Sequence, residues 1–165
     1  MKRLAIAVSM LAIGVAGCGS NSSPTSPSTL KIFTVQLFPS NEVPPVTNGE
    51  NTGRGTAVVT VHSDTNTVDF SISLSGFPNN TTMTAAHIHP GVAGVNGGAQ
   101  IGVPGFAGLV LTNGSATFTA TGVAAATDAT TAASRIQAIL AAPQNFYFNV
   151  HTTVNGGGVA RGQLQ

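Results

Sequence analysis

Between residues 67 and 75 the chain alternates strictly, with Val68, Phe70, Ile72 and Leu74 separated by Asp69, Ser71 and Ser73. A period of two is the signature of a strand with one buried face, and no helix can satisfy it. Ala57, Val59 and Val61 alternate with Thr56, Thr60 and His62 in the same way, Val58 being the exception. The turn formers Asp64-Thr65-Asn66-Thr67 between these runs predict a hairpin. A second hairpin is expected at Asn113-Gly114, joining residues 109–111 to 116–120, because positive φ is accessible there. A third joins residues 146–154 to 159–164 through Asn155-Gly156-Gly157-Gly158.

One segment follows a different period. Residues 127–142 are rich in alanine and carry Ile136, Ile139 and Leu140 at helical spacing. Thr127 or Asp128 is placed to cap this segment, and Pro143 lies just beyond it. The sum is about eight strands and one short helix, hence an all-β fold, either an antiparallel Greek-key sandwich or a barrel. Only 7% of residues are charged, against ~25% in ordinary soluble domains. Thr, Ser, Asn and Gly carry the polarity instead, which suits short strands and tight turns.

The amino terminus is organised differently. Met1-Lys2-Arg3 is basic, and residues 4–15 form an apolar run too short to cross a ~30 Å hydrocarbon core. The run ends in Val15-Ala16-Gly17-Cys18, which resembles the lipobox of bacterial lipoproteins, and Cys18 is the only cysteine. The expectation is a lipoprotein signal peptide over residues 1–17 and lipidation at Cys18. A Ser/Pro/Thr tether then spans residues 18–29, and one folded domain spans residues 30–165. Such a chain is anchored to the cell envelope by acyl chains. In a Gram-negative cell it would sit on the periplasmic face or surface of the outer membrane.

Removing the leader leaves four basic residues against five acidic ones, a net charge of −1. No basic stripe remains to neutralise phosphates, so nucleic-acid binding lacks an electrostatic basis. A single cysteine excludes a disulfide within the chain and a CxxC redox pair.

The chemistry concentrates in the histidines. Ala86-His87-Ile88-His89-Pro90 puts His87 and His89 on one face of a strand, with Cα atoms about 6.6–6.8 Å apart. In Tyr147-Phe148-Asn149-Val150-His151, the residues Tyr147, Asn149 and His151 share the polar face of another strand. Three imidazoles from two neighbouring strands form a plausible copper or zinc site with one coordination position left over. Histidines on such a face are also commonly solvated or bonded to Thr and Asn neighbours. His62, near the Asp64 turn, reads as a surface residue and not a fourth ligand. No close carboxylate pair, Gly-x-Ser-x-Gly elbow or phosphate loop is present.

Four ordered fragments carry a family resemblance. They are Asn41-Glu42-Val43-Pro44-Pro45-Val46, Ala86-His87-Ile88-His89-Pro90-Gly91, Tyr147-Phe148-Asn149-Val150-His151-Thr152 and Ala160-Arg161-Gly162-Gln163-Leu164. Together they resemble the CHRD domain of chordin and many bacterial secreted proteins, over about residues 30–165. The resemblance implies an extracytoplasmic β-rich domain and little mechanism. Glu42 and Arg161 are the charged residues of these fragments, from opposite ends of the domain. They are expected to meet as a partly buried structural ion pair, with a rival role for Glu42 as an oxygen ligand beside the histidines.

Three function classes follow: an envelope-displayed binding or structural module with a protein or glycan partner, a copper- or zinc-binding protein, and a metal-dependent redox enzyme. The HxH strand is similar to one in Cu/Zn superoxide dismutase. The loop from 90 to 105 lacks the further histidines and aspartate of that family's bridged site, which disfavours dismutase chemistry and leaves no residue assigned as catalytic.

Overall fold

A computed structural model describes residues 30–165. The expected signal peptide, Cys18 and the tether lie outside the described residues. Two four-stranded antiparallel sheets face each other as a sandwich. The first runs in the order β1 (Leu30–Leu37), β2 (Arg54–His62), β3 (Thr67–Ser75), β6 (Ala116–Ala124). The second runs β5 (Ile101–Gly102), β4 (Met83–Pro90), β7 (Phe146–Thr152), β8 (Ala160–Gln163). The chain crosses between sheets after β3 and again around β6, so that β6 returns beside β3 and β7 beside β4. This is Greek-key connectivity in a sandwich, and the barrel alternative is set aside.

The alternation read from the sequence is the core. Val68, Phe70, Ile72 and Leu74 on β3 are buried, as are Ala57, Val59 and Val61 on β2. Phe70 meets Phe148 of the opposite sheet with ring centroids 5.6 Å apart. Each such large side chain withdrawn from water contributes about 1.5–3 kcal/mol.

The helix α1 (Ala129–Ala141) lies between β6 and β7, and Asp128 caps it by accepting from the Thr131 N–H. Ile136 and Ile139 bury into the core, while Leu140 packs against it. The β2–β3 and β7–β8 hairpins form as expected. The hairpin expected at Asn113-Gly114 forms only in part. Both residues adopt positive φ, but the turn closes just one bridge, Thr112 to Ser115. Residues 109–111 pair instead with the approach to β4, through Met83 N–H to Leu109 O and Leu111 N–H to Thr81 O. The sequence is permissive for the turn, but Leu111 is buried and the strand partner is chosen by that packing.

Strand β7 departs from simple alternation because it is buried on both sides. Phe146, Phe148 and Val150 join the sandwich core. Tyr147, Asn149 and His151 form a second, polar layer outside it. Three segments contribute to that layer: residues 38–50, the loop after β4 and the β7–β8 loop.

Candidate metal centre

The register of β4 and β7 sets the site. His87 stands opposite Asn149, His89 opposite Tyr147, and His151 opposite Ala85. His151 is therefore diagonal to His87 on the same face, within reach of its ring. One ring nitrogen from each of His87, His89 and His151 lies within 4.8 Å of the other two. His87 Nδ1 and His151 Nε2 are 3.3 Å apart. Two nitrogens bound tetrahedrally at 2.0–2.1 Å from one ion stand about 3.3–3.4 Å apart, so this pair already has the ligand spacing.

Backbone carbonyls orient two of the rings. His89 Nδ1 is 2.9 Å from Gly97 O, and His151 Nδ1 is 3.1 Å from Gly156 O. Each Nδ1 must carry the proton to donate, which turns the Nε2 lone pair away from the carbonyl and toward the cluster. His89 Nε2 is buried without a hydrogen-bond partner among the described residues. Tyr147 stacks flat on His89, with centroids 4.9 Å apart and planes 7° from parallel. The Tyr147 hydroxyl also accepts from the Gly97 N–H at 3.1 Å, steadying the peptide that orients His89. A β-carbon on Gly97 would collide with the Pro90 carbonyl oxygen, so glycine is required by close approach.

Burial and neighbouring rings hold the cluster in the ligand state. Desolvation, then His151 and His89, push the His87 pKa down to about 4. Desolvation is also the leading cause of the lowered values for His89 and His151, each partly opposed by its carbonyl partner. At neutral pH all three imidazoles are neutral, as metal ligation requires. His62 lies elsewhere, on the first sheet, 2.9 Å from Asp69.

Glu42 and Arg161 are both buried, at 6% and 2% exposure, and the Arg161 charge reaches Glu42, but no direct ion pair joins them among the described residues. Phe38 and Arg161 exchange backbone hydrogen bonds, which brings the start and end of the domain together. Arg161 places Nε on Asn41 O at 2.6 Å, Nη1 on Asn96 Oδ1 at 2.8 Å, and its guanidinium 4.6 Å above Tyr147. Burial raises the Glu42 pKa to about 7, against the opposing charge of Arg161 and a hydrogen bond from Asn149. Glu42 Oε1 and Arg161 Nη2 have no hydrogen-bond partner among the described residues. The carbonyls around Arg161 thus take the donors that a direct, bidentate ion pair would use. Arg161 acts on Glu42 as a nearby charge.

Several residues of the site had no role in the sequence reading. Tyr147 and Asn149 were visible only as members of the His151 face. Glu50 is buried beneath the β7–β8 loop, accepting from Thr152 Oγ1 at 2.6 Å and from Asn155 Nδ2 at 2.5 Å. It anchors the loop whose Gly156 carbonyl orients His151. No local pattern marks Glu50, since its partners lie about a hundred residues away.

Residues 33–164 match the family model described as the CHRD domain. No curated protein and no solved structure matches the chain.

Proposed function

The chain belongs to the CHRD domain family, and from that membership and the three-histidine cluster we propose an envelope-displayed metal-binding module. His87, His89 and His151 are its ligands, and copper or zinc its ion. The observation that carries this reading is the convergence of three neutral imidazoles, two of them oriented by backbone carbonyls, in a buried layer outside the core. An all-nitrogen donor set favours these borderline ions over calcium or magnesium, which require oxygen ligands. The expected lipid on Cys18 supports membrane attachment, with the domain facing an extracytoplasmic protein or glycan partner.

Equilibrium dialysis of the purified chain against micromolar copper or zinc should give one ion per molecule. His89→Ala and His151→Ala should each weaken binding at least a hundredfold, while His62→Ala should leave it intact. Stoichiometry unchanged in both ligand variants would overturn the reading. The anchor is tested separately: Cys18→Ser should move the protein from the membrane fraction to the soluble one, and persistence at the membrane would remove Cys18 from that role.

A further inference from the structure

Four buried side-chain atoms lack a hydrogen-bond partner among the described residues: His89 Nε2, Asn149 Oδ1, Glu42 Oε1 and Arg161 Nη2. Buried polar atoms are ordinarily satisfied, so orphans scattered at random would signify little. These are not scattered. Asn149 on β7 stands directly opposite Arg161 on β8 and His87 on β4, and the His89 ring lies 5.4 Å from that of His87. Glu42 joins this row through its hydrogen bond with Asn149. A β-carbon on Gly158 would strike both Asn149 Nδ2 and the Glu42 carboxylate, which shows how closely the two are held under the β7–β8 loop.

A metal ion accounts for His89 Nε2 and for none of the other three. With the Glu42 carboxyl ionised, those three consist of two acceptors, Asn149 Oδ1 and Glu42 Oε1, and one donor, Arg161 Nη2. An anion would meet two oxygen acceptors and is disfavoured. Water offers two O–H donors and two lone pairs. Its protons match the two acceptors, one lone pair matches the guanidinium, and the second is left for a metal.

Resting on the three-histidine reading, we propose that the metal carries a solvent molecule as its fourth ligand, held by Glu42, Asn149 and Arg161. The polar row beside the histidines is then an outer hydrogen-bonding shell for an exchangeable oxygen ligand. Only a small oxygen donor that can both give and accept hydrogen bonds replaces it well. Such outer partners typically affect metal affinity 10–100-fold.

The test uses the full chain loaded with Cu(II) and pulsed EPR in water enriched in oxygen-17. The wild type should show couplings from three imidazole nitrogens together with one coordinated oxygen-17. Glu42→Gln and Asn149→Leu, checked for folding by circular dichroism, should bind copper at least tenfold more weakly and show an altered oxygen-17 coupling. Nitrogen couplings without any coordinated oxygen-17 in the wild type would overturn the solvent ligand and leave the metal centre standing. Unchanged affinity and coupling in both variants would remove Glu42 and Asn149 from the shell. Absence of stoichiometric copper binding by the wild type would instead defeat the three-histidine reading itself.

Discussion

Replacing Arg161 with methionine is expected to destabilise the domain by about 3–5 kcal/mol, read from chemical unfolding at pH 8. Arg161 is 2% exposed. Removing it strips hydrogen bonds from Asn41 O and Asn96 Oδ1, uncovers one face of Tyr147, and leaves the Glu42 charge without its neighbouring cation. Glu42→Gln should behave differently. A carboxyl whose folded pKa is raised from 4.5 to about 7 takes up protons on folding between those values. Its contribution is therefore complete below pH 4.5 and is lost as pH rises through 7. Glutamine removes that loss, so Glu42→Gln should gain stability relative to wild type on going from pH 5 to pH 8. In the double variant the Arg161→Met penalty should shrink, because no carboxylate remains uncompensated. Strictly additive losses would show that the two charges do not interact.

This pair illustrates what the sequence carried. Glu42 and Arg161 were visible as charges in an otherwise uncharged pattern, and their meeting followed from the first and last strands lying close. What a linear reading lacked was the competition for the guanidinium. Asn96 sits in a Gly-rich loop and supplies its side-chain oxygen to Arg161 from 65 positions away. The histidines show the same division. A period of two put His87 and His89 on one face and His151 beside Tyr147 and Asn149. The diagonal that joins them follows from the pairing of Ala85 with His151 and of His87 with Asn149, a register between strands about sixty residues apart that no residue pattern announces. The carbonyls of Gly97 and Gly156 orient two of the rings, and a carbonyl belongs to every residue type. Sidedness was legible because it is local and periodic. The covering loops were not, because their contribution is made by backbone atoms and long-range contacts.

The same buried layer is expected to make the fold sensitive to acid and to the proposed metal. His87, with its pKa pushed from 6.5 down to about 4, binds a proton in the unfolded chain that it refuses in the folded one across that window. His89 and His151 are shifted in the same direction. Stability carried by these groups is complete above pH 6.5 and is lost as pH falls toward 4. Glu42 works in the opposite sense between pH 4.5 and 7. Three imidazoles against one carboxyl make the net effect an acid-labile domain. Thermal unfolding of the metal-free chain should therefore show a falling Tm from pH 7 to pH 4. His87→Gln should flatten that slope and Glu42→Gln should steepen it by a comparable amount, because the two shifts are similar in size and opposite in sense. An ion that binds only the folded cluster adds RT ln(1 + [M]/Kd), about 4 kcal/mol at a thousandfold excess over Kd. For a domain of this size that raises Tm by roughly 10 °C. A chelator should reverse the gain at pH 7, and His151→Ala should abolish it. A metal-induced rise that survives His151→Ala would place the ion somewhere other than these three rings, whatever the dialysis stoichiometry.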